Sequence, residues 1–303
     1  MSKVLVIGGA GFIGRTIIKK LVELNHNVEV IDNYSTGDKE ELEKILNREV
    51  VPKEFISGEY DSMFNDIDYV LHLAAKISVV ESITKPTHYI YNNSLGSTRV
   101  IMLCMMNHIK KMVFSSSAAI YGDNPINPKT EDMTPNPLSP YALSKLDTEY
   151  MLKMYPELKS VVLRYFNVYG PGQRASSPYA SAIPIFISKA LKDEDITIYG
   201  DGNQIRDFVY VDDVANANIH MMLNDCTGTY NVGTGSSITI NELVNLVIKL
   251  TNSSSKVIHE KERTGEIKVS ISSNKKILDT GFTFSSEFEK NLLNTINWYS
   301  KII

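Results

Sequence analysis

The chain has 303 residues, 31 Lys and Arg against 35 Asp and Glu, a net charge of −4 and 43% hydrophobic residues. That balance fits an ordinary globular protein with core enough for two domains, and it excludes recruitment of nucleic acid or a lipid surface by overall charge. Two cysteines make no disulfide framework, six histidines show no zinc-type spacing, and no apolar run is long enough to cross a bilayer, so neither a metal nor a membrane partner is predicted. The N-terminus runs straight into a strand, so no leader and a reducing, cytoplasmic setting are expected.

Val4, Leu5, Val6 and Ile7 form an apolar run of the kind buried on both faces of a parallel sheet. Gly9, Gly11 and Gly14 then fit G-x-G-x-x-G, and Ile13, Ile17, Leu21 and Leu24 recur at helical spacing. A strand before the glycines and a helix after them is the context of a dinucleotide cradle. The glycines let the backbone approach a pyrophosphate seated on the helix N-terminus. Gly8, Gly11, Phe12, Ile13 and Gly14 are the expected cofactor contacts.

A second strand, residues 28–31, ends at Asp32, where a carboxylate accepts from ribose hydroxyls and repels a 2′-phosphate. No arginine follows it closely, so NAD is expected rather than NADP. Asn33, Ser35, Thr36 and Gly37 form a polar loop suited to the adenosine. Residues 38–49 read as a charged helix and 50–56 as a third strand region. Glu59 and Tyr60 follow as adenine contacts. Residues 68–75 read as a fourth strand running into Leu73, Ala74 and Ala75, which allow close cofactor approach, with His72 packed at the strand end. Residues 86–107 read as one long helix, with Asn93 near its middle reaching the cofactor and an apolar stripe towards its end.

Met112, Val113 and Phe114 open a buried strand that ends in Ser115, Ser116 and Ser117. Beyond a proline-rich loop stand Tyr141 and Lys145, four apart and therefore on one helix face. A free tyrosine titrates near ~10, and a nearby ammonium favours its phenolate. Such a phenolate takes a proton from an alcohol as a hydride leaves the same carbon, with Ser117 bonded to the same oxygen. The expected catalytic set is Ser117, Tyr141 and Lys145, with Ser115 beside the cofactor. Tyr155 and Lys159 share the spacing, but Pro156 breaks their helix.

Residues 161–166 read as a sixth strand, broken at the turn beginning with Asn167, where the chain leaves for a substrate region. A short helix over 183–191, a strand and turn over 196–202, and helices over 211–222 and 240–250 follow. Arg206 and Arg263 each follow polar turns, and their planar forks suit phosphate oxygens.

These motifs, in this order, resemble the extended short-chain dehydrogenase/reductases of the NAD-dependent epimerase/dehydratase group, over nearly the whole chain. Within the group they are most like the UDP-glucose 4-epimerases. The resemblance implies an α/β Rossmann-type doubly wound parallel sheet with a smaller C-terminal domain. The expected division is 1–168 plus about 207–232 for NAD, and 169–206 with 233–303 for a nucleotide sugar. It implies Ser117, Tyr141 and Lys145 as the catalytic set and Asn93 as a cofactor contact, with Tyr165 near the nicotinamide.

On the substrate it implies Asn167 with Arg206 and Arg263 at the diphosphate, Glu266 at the uridine ribose, and Ser270 at a gate beside the sugar. Ser117 and Tyr141 contact the hexose. Thr264 stands where relatives often carry proline. A homodimer through the 86–107 and Tyr141 helices is implied too. The implied activity is 4-epimerisation of UDP-glucose and UDP-galactose, extending to their N-acetyl forms. A 4,6-dehydratase, a UDP-glucuronate epimerase or decarboxylase, and a silent NAD-binding sensor are the alternatives. Ala118 and Ala119 lack the dehydratase acid and base, and the retained Tyr141 and Lys145 speak against the sensor.

Overall fold

A computed structural model describes residues 1–56, 58–175, 181–262, 267–285 and 287–303, apart from the side chains of residues 58 and 59. The chain divides into two compact units: Met1–Gly122, Met133–Tyr165 and Val214–Tyr230; and Asp123–Asp132, Phe166–Asp213 and Asn231–Ile303. The loop at 123–132, expected with the first unit, groups with the second. Lys129 explains this: its N–H donates to Ile271 O (2.7 Å) and its C=O accepts from Ser273 N (2.8 Å).

In chain order the first unit begins β1 (Lys3–Ile7), α1 (Phe12–Glu23), β2 (Asn27–Ile31), α2 (Lys39–Leu46), a 3-10 turn (Gly58–Phe64) and β3 (Tyr69–His72). It continues α3 (Val79–Thr84), α4 (Pro86–Tyr89), a π-helical turn (Ile90–Leu95), α5 (Gly96–Met106), β4 (Lys111–Ser117), α6 (Pro140–Met154) and β5 (Ser160–Tyr165). The apolar run of β1 is buried throughout, Val4 to Ile7 each at 0% exposure. Burial of such side chains contributes roughly 1.5–3 kcal/mol each, and here it comes from both faces of the strand. The buried stripe of α1 is Gly14, Ile17, Ile18 and Leu21. Leu24, expected on that stripe, lies past the helix end and is exposed.

Strands β1/β2, β1/β3, β3/β4 and β4/β5 pair in parallel. The expected strand over 50–56 does not form. Pro52 has no N–H to donate, and the amide of Lys53 goes to Asp32 O (2.8 Å) outside any ladder. The expected 86–107 helix runs on through its caps but opens into the π-helical turn at Asn93. Such turns concentrate at functional sites.

The chain goes on through β6 (Asn167–Tyr169), α7 (Ala182–Ala190), β7 (Ile196–Tyr199), β8 (Ile205–Arg206), β9 (Phe208–Tyr210) and α8 (Val211–Leu223). It ends with β10 (Gly228–Val232), β11 (Ile238–Thr239), α9 (Ile240–Thr251), β12 (Val257–Glu260), β13 (Val269–Ser270), α10 (Lys275–Leu278) and α11 (Phe288–Tyr299). The large sheet has the order β10-β5-β4-β3-β1-β2, a Rossmann-type α/β sheet as expected. The order reverses beside β1, so the crevice for a ligand lies at the carboxyl ends of β1 and β3. Small sheets β11-β8-β13, β12-β7 and β6-β9 belong to the second unit. Its core gathers Tyr169, Ile183, Phe186, Ile196, Phe208, Leu243, Val247, Leu292 and Tyr299. Thr239 and Glu242 close a reciprocal capping box at the start of α9.

Candidate active site and cofactor cradle

The glycines after β1 have different jobs. Gly8 has φ +87°, and a Cβ there would stand 2.6 Å from Ala74 N. A Cβ on Gly14 would stand 2.3 Å from Gly8 O, so this glycine lets α1 lie close on the strand. Gly11, the N-cap of α1, is different: a Cβ there would meet only Gly8 O at 3.3 Å, and no side chain caps the helix. An open glycine at the uncapped N-terminus of a 12-residue helix fits a pyrophosphate, whose charge the exposed amides and the dipole both favour.

Asp32, at the end of β2, accepts from Ala10 N (2.9 Å, Oδ2) and Tyr34 N (2.7 Å, Oδ1), leaving lone pairs for ribose hydroxyls. Burial raises its carboxyl, opposed by these backbone bonds and by the charge of Arg15. The arginine near Asp32 thus comes from α1, upstream of it, and not from the loop that follows. The adenosine loop is held tightly. Tyr34 sits at φ +58° with its hydroxyl on Val50 O (2.8 Å), Ser35 N donates to Asn33 Oδ1 (3.0 Å), and a Cβ on Gly37 would strike Ala10. Across the crevice, Leu73 N and Ala74 N both donate to Ile7 O (2.8 and 2.9 Å). The residues that NAD requires are present and shaped for it.

Two of the expected cofactor contacts have partners within the protein. Tyr60 is fully buried in the core, its ring tilted against Phe64, with the Arg99 guanidinium 5.8 Å from its ring centre. Asn93 is 1% exposed and saturated. It accepts from Lys76 N (2.8 Å) and Asn92 Nδ2 (2.9 Å) and donates to Lys76 O (2.9 Å) and Ser144 Oγ (3.0 Å). It clamps the segment after β3 to α6. The side chain of Glu59 lies outside the described residues.

The reactive groups lie where α6 packs on β4. Ser139 caps α6 by accepting from Ala142 N, and Pro140 takes the first turn, which sets Tyr141 at the helix start. Ser117, at the end of β4, acts on the Tyr141 phenol, and its Oγ accepts from Ala119 N (3.2 Å). Lys145 is 4% exposed, its Nζ donates to Ser115 O (2.7 Å), and it stands 4.9 Å from the Phe114 ring centre. Burial pushes its ammonium down to about 7, against the opposing charge of Glu149.

Burial raises the Tyr141 phenol, and Ser117 opposes that rise. His72, packed between the tilted rings of Phe55 and Phe114, is pushed down to about 3 by burial and by Lys145, and is a neutral packed residue as expected.

Tyr165, expected near the nicotinamide, is buried in a polar cluster. Its hydroxyl meets Ser115 Oγ (2.8 Å) and Asn218 (Oδ1 3.0 Å, Nδ2 2.7 Å), and burial pushes it up to about 12. Sequence reasoning missed the pair behind Lys145. Glu149 and Arg164 are 1% and 2% exposed. Arg164 Nη2 and Nε donate to Glu149 (2.7 and 3.1 Å), Ser116 Oγ donates to the same carboxylate (2.5 Å), and Tyr121 OH accepts from Nη1 (3.0 Å). An arginine inside the apolar run 161–166 was the signal that a buried anion must face it.

In the second unit Asn167 donates through Nδ2 to Asp207 O (2.9 Å), and Ser270 pairs with Arg206 across β13 and β8. Arg206 is half-buried and Nη1 donates to Ile205 O (3.0 Å). Arg263 and Glu266 lie outside the described residues. Among the described residues no group of three or more His, Cys, Asp or Glu side chains could hold a metal, and no helix is long and apolar enough to cross a membrane.

A parallel dinucleotide sheet with a tyrosine, serine and lysine at the end of β4 defines an NAD-dependent enzyme. The profile of the NAD dependent epimerase/dehydratase family matches residues 4–233, and the chain belongs to that family as an epimerase-type enzyme. A putative UDP-glucose 4-epimerase of Methanocaldococcus jannaschii is 37% identical over 302 residues, 97% of each chain. The UDP-N-acetylglucosamine 4-epimerase of Methanobrevibacter ruminantium M1, solved with UDP-N-acetylmuramic acid, superposes with a TM-score of 0.96 at 39% identity, covering 100% of this chain and 99% of that one. The UDP-glucose 4-epimerase of Thermus thermophilus, solved with NAD, gives 0.91 at 33% identity, covering 99% and 100%.

Proposed function

We propose that the chain interconverts UDP-hexoses at C4 and accepts UDP-N-acetylhexosamines as well as UDP-glucose and UDP-galactose. NAD, when bound, supplies the acceptor and then the donor of the C4 hydride. Tyr141 takes the 4-hydroxyl proton as the hydride leaves and returns it when the hydride comes back on the other face of the ring. Ser117 fixes the direction of that hydroxyl. The observation that carries this reading is Lys145, buried and anchored on the backbone of β4, with Tyr141 one helix turn before it and Ser117 at the end of the same strand. Desolvation raises the phenol, and the positive nicotinamide is the charge that would lower it.

Asn167, Arg206, Arg263 and Glu266 are proposed to hold the UDP, with Ser270 as a small gate residue that leaves room for an N-acetyl group. Ala118 and Ala119 carry no proton-transfer group, which supports epimerase over 4,6-dehydratase. The test is incubation of purified protein with UDP-galactose and with UDP-N-acetylgalactosamine, without added NAD, and resolution of the products. Formation of the two C4 epimers is expected. Loss of water or carbon dioxide from the sugar would refute the activity, and rejection of UDP-N-acetylgalactosamine alone would refute the wide gate.

We also propose a homodimer. On the first helix pair, Leu95, Met102 and Met106 are exposed, as are Leu143, Tyr150 and Met154 on α6. Ser94 Oγ donates to Asp147 Oδ2 (2.8 Å) and ties the two helices side by side.

A further inference from the structure

Asp207 lies between β8 and β9 and is 0% exposed. Its Oδ1 accepts from Thr234 N (2.9 Å) and Thr234 Oγ1 (2.8 Å). Its Oδ2 accepts from Gly235 N (3.0 Å), Ser272 N (3.1 Å) and Ser272 Oγ (2.5 Å). The backbone adds more: Asp207 N donates to Ser270 O (3.0 Å), and Asp207 O accepts from Asn167 N (3.1 Å) and Asn167 Nδ2 (2.9 Å). A Cβ on Gly233 would stand 2.7 Å from Oδ2, so the surrounding backbone is closed tightly on the carboxylate.

A buried carboxylate is costly unless hydrogen-bonded, and a well-packed apolar residue would serve stability as well. The strands here explain why an acid is present. β8, β11 and β13 are two residues each, too short for their own ladders to fix where neighbouring loops point. The carboxylate substitutes for the missing ladder. It holds the turn after β10 and the residues just past β13, and so fixes the Asp207 backbone, whose N–H and C=O bond Ser270 and Asn167. Arg206 is its covalent neighbour, and Asn167 and Ser270 are its direct hydrogen-bond partners.

We infer that Asp207 is the positioning residue that presets Arg206, Asn167 and Ser270 for the nucleoside diphosphate and the sugar. This rests on the nucleotide-sugar reading above. Asp207 does not touch the substrate itself; it fixes the groups that do, so its loss acts on binding rather than on the proton and hydride steps.

The experiment measures UDP affinity by calorimetry on NAD-loaded protein, with KM and kcat for UDP-galactose and the NAD content of the same preparations. Asp207→Asn turns an amide nitrogen towards amide donors. It is expected to weaken UDP and raise KM by about tenfold, with kcat changed less than about threefold and NAD content unchanged. Ser272→Ala and Thr234→Val each remove one hydroxyl and are expected to give about threefold. Wild-type UDP affinity in folded Asp207→Asn overturns the inference, as does a fall in kcat and NAD content at unchanged affinity, the pattern of a purely structural residue. Should Asp207→Asn fail to fold, unchanged affinity in both hydroxyl variants overturns it. If wild-type protein retains NAD but binds no UDP, the nucleotide-sugar reading falls first and this inference with it. If wild type binds UDP and the variants do too, only the Asp207 inference falls.

Discussion

The ammonium of Lys145 donates to the carbonyl oxygen of Ser115 at 2.7 Å, two residues before Ser117 on the same strand. Helix α6 is therefore fastened to β4 through Lys145, one helix turn after Tyr141.

A first prediction concerns pH. The folded-state Lys145 sheds its proton near about 7, against an ordinary 10.5. Between those values the unfolded chain binds more protons, so stability contributed by this group rises with pH across that window. Below about 7 both states are protonated and the burial penalty is fully present. Lys145→Met in cofactor-free protein is expected to raise Tm near about pH 6, with a gain that shrinks towards about pH 9. Thermal unfolding of both proteins across this range checks it, and a constant offset would contradict the burial argument.

The Glu149–Arg164 pair makes a second prediction. Glu149→Ala leaves the guanidinium buried without its carboxylate, which costs about 3–5 kcal/mol. Replacing both by apolar residues, Glu149→Leu with Arg164→Met, is expected to recover most of that loss. Urea unfolding of the single and double variants measures the difference.

Much of this was legible in the residues. The run of Val4 to Ile7 and the glycines after it could mean little else, because only a strand–turn–helix satisfies both patterns. What was not legible has tertiary causes. The core takes in Tyr60, and the segment around Lys76 and Ser144 occupies the donors and acceptors of Asn93. Tyr165 is bound by Asn218, 53 residues away, and no local pattern announces such a partner. Residues 50–56 have the apolar ends of a strand, but Pro52 breaks the ladder that would make it one.

The glycines allow a paired test of cofactor binding. Gly8→Ala places a Cβ 2.6 Å from Ala74 N at φ +87°, so lower stability and loss of bound NAD are both expected. Gly11→Ala meets only Gly8 O at 3.3 Å and should fold nearly as well while losing NAD. NAD content and Tm measured together separate the two. Full NAD occupancy in Gly11→Ala would remove the pyrophosphate from this helix end.

Tyr141→Phe keeps the ring and removes the proton acceptor. A fall in kcat of about 10²–10⁴-fold is expected, with NAD retained. Product analysis from UDP-galactose reads it, and unchanged turnover would reject Tyr141 as the proton carrier.

The last prediction concerns the paired helices. Exposed apolar residues sit at 95, 102 and 106 on one helix and at 143, 150 and 154 on the other, with Arg99 and Asp147 completing the same spacing on each. Both stripes thus repeat at four, then three, then four residues, the period of a helix face that packs on another helix. Because Ser94 and Asp147 hold the helices together, the stripes form one surface, and in the proposed dimer a second copy would present its equal by two-fold symmetry. Tyr150 and Met154 are 44% and 69% exposed, so charges there do not disturb the core of the single chain. Tyr150→Glu with Met154→Glu is expected to turn a dimer into a folded monomer that still holds NAD. Light scattering after size exclusion gives the mass directly. A wild-type monomer, or a variant dimer as stable as wild type, would show that this face is not the contact.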